Sequence, residues 1–153
     1  MRVGLALLVF VAPAIAGAAG PPIDASETQI RGALSEMHQA ASALDADRFM
    51  NWYLQDPSLT ITFDGHIMRG WEVIRDQQRR WWSASTTKLT YIEDMPPEVR
   101  LLGPDVATTL QSMTIGGDIP QGAAKPTHLT VTSVWKKRPE GWRIVIAHES
   151  ISQ

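Results

Sequence analysis

The stretch from Thr132 to Ser150 constrains the fold most, because two β-rich runs flank the charged connection Arg138 to Gly141. This pattern predicts a β-hairpin with a short loop. Side chains along a strand alternate between the two faces of its sheet. Strict alternation in the second run places five side chains on one face: Trp142, Ile144, Ile146, His148 and Ser150.

That face is apolar until its last two members, His148 and Ser150. A few polar groups at the end of an apolar surface are typical of a small-molecule pocket. We therefore expect His148 and Ser150 to face the interior. The opposite face, which is mixed and available to solvent or to a partner subunit, carries Arg143, Val145, Ala147 and Glu149.

A family resemblance rests on this hairpin. Five positions around its glycine-containing turn are similar to the C-terminal hairpin of the nuclear transport factor 2-like superfamily: Thr132, Trp135, Trp142, His148 and Ser150. Within that superfamily the hairpin most resembles the SnoaL-like small domains, which include the association domain of the calmodulin-dependent kinase. The resemblance implies a curved sheet curled around helices into a cone. It also implies a histidine and a serine beside the cavity and a polar or basic residue near position 128.

The N-terminal residues resemble an export signal. Arg2 precedes the apolar run Val3 to Ala16, and Ala14 to Ala16 offers a small-residue cleavage pattern. The run is short for a membrane span and Pro13 interrupts it, so we expect no stable membrane anchor after its removal. The prediction is a signal peptide and linker over residues 1–20, then a single domain over 21–153, in a secreted or periplasmic protein.

Composition excludes several function classes. The chain has no cysteine, which excludes a disulfide, a thiolate nucleophile and a thiolate metal site. A formal net charge of −2 gives no basic footprint for nucleic acid. Because neither metal-ligand spacing nor a phosphate-binding glycine loop is found, we expect no metal and no cofactor.

The first half of the chain predicts helices. Ser26 and Gln29 form a capping box, and apolar residues at every third or fourth position predict an amphipathic helix over about residues 26–44. A short helix after Asp47 ends at Trp52 or Tyr53. This long helix, acidic break and short aromatic-ended helix are a second resemblance to the superfamily. In a third helix after Gly70, one side carries Trp71, Ile74, Gln78 and Trp81.

The remaining pattern is β. Residues 59–63 alternate, and Asp64-Gly65 is a tight-turn dipeptide that predicts a return strand over 66–69. From residue 88 to the end, runs of strand pattern surround a glycine-rich connection, 116–126, that we interpret as a mobile flap. Helices followed by a hairpin, a helix and further strands predict an α+β fold, with helices on one face of a curved mixed or antiparallel sheet.

Two residues are candidate general bases. A histidine side chain can act as base or ligand anchor, which makes His148 a candidate, although a core histidine with a hydrogen-bond partner is the alternative. The superfamily resemblance implies that Asp64 lies in the general region of the catalytic base of ketosteroid isomerases, although the local match is poor and simple turn chemistry is the alternative. His128 points away from His148 if Lys137 pairs with Trp142, and a single bulge inverts that assignment.

The predicted ligand pocket joins these residues to aromatic ones, for which plain core packing is the alternative. Its residues are Trp52, Tyr53, Trp71, Gln78, Trp81, His128, His148 and Ser150. No aspartate or glutamate falls on the predicted interior faces, where ketosteroid isomerases and polyketide cyclases of the superfamily hold their catalytic carboxylate.

Three hypotheses follow. The leading one is an exported domain that binds a small apolar or amphipathic ligand. The second is an isomerase, cyclase or hydrolase that uses His148 or Asp64 as general base. The third is a homo-oligomerisation module, a homodimer that pairs through the outer sheet face.

Overall fold

The computed structural model describes residues 23–84, 90–116 and 127–152, which form three helices and seven strands. The predicted signal peptide and the predicted flap beyond Gly116 lie outside the described residues. The helices are α1 (Ile23–Ser42), α2 (Ala46–Met50) and α3 (Trp71–Ser83). The strands are β1 (Thr60–Phe63), β2 (His66–Arg69), β3 (Thr90–Glu93), β4 (Glu98–Leu101), β5 (Val106–Gly116), β6 (Thr127–Arg138) and β7 (Gly141–Ser152).

The first two helices begin earlier than the sequence predicts, while α3 begins directly after Gly70 as predicted. Ser26 lies inside α1, which already includes Ile23, so the predicted capping box does not start this helix. The short helix α2 is capped by Asp45 rather than Asp47, because the Asp45 carboxylate accepts a hydrogen bond from the Arg48 backbone N–H at 3.0 Å. That bond satisfies one of the free donors at the helix start.

The strands form one mixed sheet in the order β2-β1-β7-β6-β5-β3, with β4 also paired to β5. Neighbours pair antiparallel except β1 and β7, which run parallel. The fold is therefore α+β, with a curved, unclosed sheet and N-terminal helices, as the sequence predicts. The predicted tight turn is also present, with Asp64 and Gly65 both at positive φ.

A β-bulge at Val145 changes which residues of β7 face inward. Lys137 pairs with Trp142 as predicted, but Trp135 pairs with Ile144 while Val134 pairs with Ile146. β7 therefore holds one extra residue, and alternation inverts beyond it. Trp142 and Ile144 are buried before the bulge; after it Ala147 is buried and Ile146, His148 and Ser150 are exposed.

The prediction that His148 and Ser150 share the interior face is therefore wrong, as is the prediction that Ala147 and Glu149 lie on the outer face.

Three apolar clusters lie between the sheet and the helices. The largest packs α1 against the hairpin end of the sheet, with Ile30, Leu34 and Trp135 each at most 1% exposed. A second lies on the inner faces of β5 and β6 around Met113 and Leu129. A third joins α1, α2 and α3 around Trp82. The space where the three clusters meet is not filled.

Candidate functional site

An interior cavity of about 70 Å³ lies at this meeting point. A single water needs roughly 10–15 Å³ of such space, so several waters or one compact chemical group fit. Its walls are largely apolar, with a few polar side chains. The lining residues are Met37, His38, Ala41, Phe49, Tyr53, Gln78, Trp82, Tyr91, Gln111, Met113, Leu129, Val131, Ser133 and Glu149.

The sheet places three polar side chains of the cavity around one valine. Val131 of β6 pairs with Gln111 of β5 on one side and with Glu149 of β7 on the other. Ser133, two residues along β6, points to the same face as Val131. Gln111, Ser133 and Glu149 thus form the polar part of the cavity floor.

Glu149 is the carboxylate of this floor. The residue keeps some exposed area, but protein surrounds its carboxylate, and this burial raises its pKa to about 7. The negative charge of nearby Asp64 raises the pKa further, as a second cause. Within the described chain no side chain hydrogen-bonds the Glu149 carboxylate. At neutral pH it is therefore present both as acid and as base.

Two phenols belong to the same wall. Burial raises the pKa of both Tyr53 and Tyr91, and the charge of Glu149 adds to each shift. Both therefore stay protonated at neutral pH. Tyr53, Tyr91 and Glu149 all line the cavity, so two protonated phenols and one carboxylate border the same small space.

His38 of α1 is held in a defined orientation at the cavity edge. The Gln111 amide nitrogen donates to His38 Nε2 at 2.8 Å, so Nδ1 carries the proton and faces Glu93 Oε1 at 3.1 Å. Burial lowers the pKa of His38, while the Glu93 carboxylate opposes that shift. The imidazole is therefore mostly neutral near pH 7.

The Ser133 hydroxyl is buried without a partner. The residue is 1% exposed, and its Oγ has no hydrogen-bond partner among the described residues. The neighbouring Thr109, its strand partner, differs because its Oγ1 accepts a bond from Trp135 Nε1 at 3.0 Å. Two adjacent buried hydroxyls thus have different surroundings, and only Ser133 lines the cavity.

Of the predicted pocket residues, Tyr53 and Gln78 line the cavity, and their contact with a ligand stays a prediction. On α3 the inward side carries Ile74, Gln78 and Trp82, at i, i+4 and i+8, instead of the predicted Trp71 and Trp81. Trp81 is 39% exposed and contacts Phe63.

Trp52 and Trp71 lie away from the cavity as well. Trp71 donates to the Met50 carbonyl at 3.0 Å. Trp52 lines an open surface groove of about 520 Å³ between α1 and the β6–β7 turn. This groove is larger than the interior cavity but lies open to solvent, so we place the candidate site in the cavity, where burial raises the pKa of Glu149.

The other predicted polar residues, unlike Gln78, lie on the outer face or in a turn. His148 Nδ1 is 2.6 Å from Thr62 Oγ1, and His128 lies beside Asp94 at 3.7 Å, both on exposed strand positions. Ser150 is exposed as well. Asp64 is exposed in its turn, and its carboxylate accepts a bond from the Ile151 backbone N–H at 3.0 Å.

Sequence reasoning missed Glu149, His38 and Trp82. The bulge that turns Glu149 inward has no signal in the sequence around Val145. Trp82 was open to detection because it lies four residues after the predicted inward residue Gln78. His38 was open to detection because it lies four residues after Leu34, which belongs to the apolar stripe that predicts the first helix. Within the described ranges, no group of three histidine, aspartate or glutamate side chains can hold a metal ion.

Comparison with known proteins identifies the family. The model of the SnoaL-like domain matches residues 30–152. The chain therefore belongs to the SnoaL-like domain family, and its assignment to the nuclear transport factor 2-like superfamily is confirmed. No curated protein matches the sequence. None of the helices within the described residues is long and apolar enough to cross a membrane.

Solved structures share the fold at low sequence identity. A nuclear transport factor 2-like superfamily protein from Salmonella enterica serovar Typhimurium LT2 aligns with a TM-score of 0.74 and 21% identity, over 83% of this chain and 91% of that one. A protein of unknown function from Shewanella oneidensis MR-1 gives 0.68 and 18%, over 81% and 98%. The hexachlorocyclohexane dehydrochlorinase LinA-type3 from Novosphingobium barchaimii LL02 gives 0.71 and 14%, over 84% and 88%.

Proposed function

We propose that this domain binds a compact, largely apolar molecule in the interior cavity and that Glu149 exchanges a proton with it. The observation that carries this proposal is a carboxylate with a pKa of about 7 in an apolar cavity. A general base is most effective when its pKa lies near the working pH. His148 and Asp64, the bases predicted from the sequence, do not line the cavity, so we propose Glu149 as the general base in their place.

The chemistry that this geometry favours is proton transfer at carbon. Glu149 removes a proton from a carbon next to a carbonyl, and the C–H electron pair forms the C=C bond of an enolate. Where a C=C bond conjugates with the enolate, protonated Glu149 returns the proton to the far carbon of the dienolate, which gives an isomer. Where the substrate has a β-hydroxyl, the proton goes to that oxygen as its C–O bond breaks, water leaves, and the enolate electron pair forms the C=C bond of an unsaturated ketone. Neither route needs a cofactor or a second substrate.

Two further observations support this class of reaction. Tyr53 and Tyr91 stay protonated and can donate to a developing negative charge. A hexachlorocyclohexane dehydrochlorinase shares the fold. Because the cavity is only about 70 Å³, the reacting part of the substrate is compact.

Hydrogen–deuterium exchange of small ketones tests the proposal without knowledge of the natural substrate. Cyclopentanone and a panel of β-hydroxy ketones are incubated with the protein in D₂O, and α-deuteration is followed by NMR. We expect exchange that rises with pH through about 7 as Glu149 ionises. Glu149→Gln should slow it about 100-fold or more, as for loss of a general base.

Glu98→Gln, on an exposed position of β4, is the matched control and should exchange like the wild type. If the wild type exchanges none of the panel, or if Glu149→Gln exchanges as fast as the wild type, the proton-transfer proposal is wrong. If the wild type binds a ketone without exchanging its protons, and Glu149→Gln weakens that binding, the binding function stands and the proton-transfer function is wrong.

We propose further that the domain forms a homodimer through its outer sheet face. On this face Leu110 and Ile146 are 38% and 50% exposed, and Val134 lies between Thr108 and Ile146 in one cross-strand row. The next row is Leu110, Thr132 and His148. These six central residues include no lysine, arginine or carboxylate, while charged residues lie where the rows reach β4, at Arg100 and Glu98. Depletion of charge is typical of interface centres.

Light scattering tests the dimer. We expect twice the monomer mass for the wild type and the monomer mass for Ile146→Lys. Val73→Lys is the control, since Val73 is 59% exposed on α3 and lies outside the sheet. A monomeric wild type at all concentrations contradicts the proposal.

The N-terminal pattern supports a third proposal, that the protein is exported. N-terminal sequencing of protein from the extracellular or periplasmic fraction should give a mature end close to residue 17 to 21. Recovery of the uncut chain from the cytoplasm alone would exclude export.

A further inference from the structure

Ser133 is a buried polar residue for which the packing of the sheet gives no reason. It lies 1% exposed among Val131, Trp135 and Ala147, and its Oγ has no partner among the described residues. A buried hydroxyl without a partner destabilises the folded state. Alanine would fit the same space without that cost.

Thr109 supplies the contrast within the same pair of strands. It lies directly opposite Ser133, and its hydroxyl accepts the Trp135 indole N–H. Thr109 therefore has a structural role that Ser133 lacks. Because Ser133 belongs to the cavity wall and Thr109 does not, a group inside the cavity is the natural partner for Ser133.

The position of Ser133 relative to Glu149 limits what that partner is. Ser133 pairs with Ala147, so Glu149 is its diagonal neighbour on the inner face of β7. Diagonal neighbours have α-carbons about 7–8 Å apart. Both side chains line the same cavity, so one compact molecule inside it can contact the hydroxyl and the carboxylate together.

We infer that Ser133 binds an oxygen atom of the substrate and that the substrate class is compact ketones or hydroxy ketones. The inference rests on the proposed function of the cavity and adds a specificity-determining residue to it. Ser133 donates to the carbonyl oxygen, which holds the adjacent carbon against the Glu149 carboxylate. A hydrocarbon of the same shape fits the cavity but leaves the hydroxyl without a partner.

Binding of two molecules of equal shape tests this role. Cyclopentanone carries the oxygen, and methylenecyclopentane has a CH₂ group in its place; both dissociation constants are measured by NMR titration. We expect Ser133→Ala to weaken cyclopentanone binding about five- to tenfold, the loss of one neutral hydrogen bond. Methylenecyclopentane should bind Ser133→Ala and wild type within about twofold, because it makes no such bond.

Thr130→Val is the matched control, since Thr130 is exposed on the outer face of the same strand, and both dissociation constants should stay unchanged. Unchanged cyclopentanone affinity in Ser133→Ala overturns the role of Ser133 while the proposed binding function stands. An equal loss for both probes does the same, because it indicates altered shape. If the wild type binds neither probe, both proposals are wrong.

Thermal unfolding gives a second readout that needs no ligand. Removal of a hydroxyl without a partner should raise the Tm of Ser133→Ala above that of the wild type. A lower Tm would mean that the hydroxyl has a stabilising partner inside the protein, and would overturn the inference. Higher stability with weaker ketone binding is the combination expected of a residue retained for function.

Discussion

The two halves of the inner sheet face differ in what they hold. Toward the hairpin turn, Trp135, Trp142 and Ile144 pack against α1 with at most 3% exposure. Beyond the bulge, the same strands β6 and β7 border a cavity and carry Ser133 and Glu149. The first half is a packed core, and the second is hollow and partly polar.

This difference indicates that the two halves of one strand pair have different roles, one in packing and one in the chemistry of the cavity. In the packed half, the Thr109 hydroxyl accepts the Trp135 indole N–H, whereas the Trp142 indole N–H is buried without a partner among the described residues. The hollow half leaves the Ser133 hydroxyl without a partner and raises the pKa of Glu149 to about 7. Stability comes mainly from one half, and the groups available for chemistry lie in the other.

The largest expected effect concerns two isoleucines on either side of the bulge. Ile144→Ala should lower the free energy of unfolding by about 2–5 kcal/mol, because it leaves a cavity in the packed half. Ile146→Ala should cost less than about 1 kcal/mol, because Ile146 is 50% exposed. Urea unfolding at a concentration that keeps the chain monomeric measures both. Equal costs would mean that the strand alternates without a bulge.

The next effect is a pH dependence from the hollow half. Burial raises the pKa of Glu149 from 4.5 to about 7, so the folded state holds this proton more tightly than the unfolded state. The associated stability is fully present below pH 4.5 and is lost as pH rises to about 7, by on the order of 3 kcal/mol.

Subtraction of the Glu149→Gln unfolding curve from that of the wild type across this pH range isolates the effect. It removes the opposite trend of Asp47 and Asp94, whose pKa values are lowered by hydrogen bonds from Arg79 and from Thr114, respectively. A difference curve that is flat between pH 4.5 and 7 would place the Glu149 carboxylate in water.

A smaller effect tests the packed half. Thr109→Val removes the acceptor of the Trp135 indole N–H and should lower the free energy of unfolding by about 1–3 kcal/mol. Thr108→Val, one residue away on the outer face, should change it by less than about 0.5 kcal/mol. Opposite shifts of Tm in Thr109→Val and Ser133→Ala would sharpen the contrast between the two hydroxyls.

The smallest effect is expected at His148. His148→Ala removes a side chain of the outer face that contacts Thr62, so we expect no change in ketone exchange and a stability change of less than about 0.5 kcal/mol. NMR exchange rates check the first expectation. If the exchange rate of His148→Ala falls as far as that of Glu149→Gln, His148 has a catalytic role.

Periodicity predicts most of the fold but only part of the site. Buried stripes on α1 and alternation on β5 and β6 repeat over many residues, so errors at single positions do not change the assignment. The inward orientation of Glu149 depends on one unpaired residue, Val145. Valine is as compatible with a regular strand as with a bulge, so the sequence does not predict this orientation. The pairing Lys137 with Trp142 was predictable, and the inversion between Ile144 and Ile146 was not.

The extra residue in β7 has a consequence for comparing this chain with its relatives. A homologue lacking one amino acid between positions 144 and 146 would present the side chain aligned with His148 to the cavity and turn the one aligned with Glu149 outward. An insertion or deletion of a single codon thus replaces the carboxylate that faces the cavity with an imidazole, without any substitution at either position. Alignment columns over this strand therefore need gaps placed by backbone superposition before a reactive group is transferred from one protein to another.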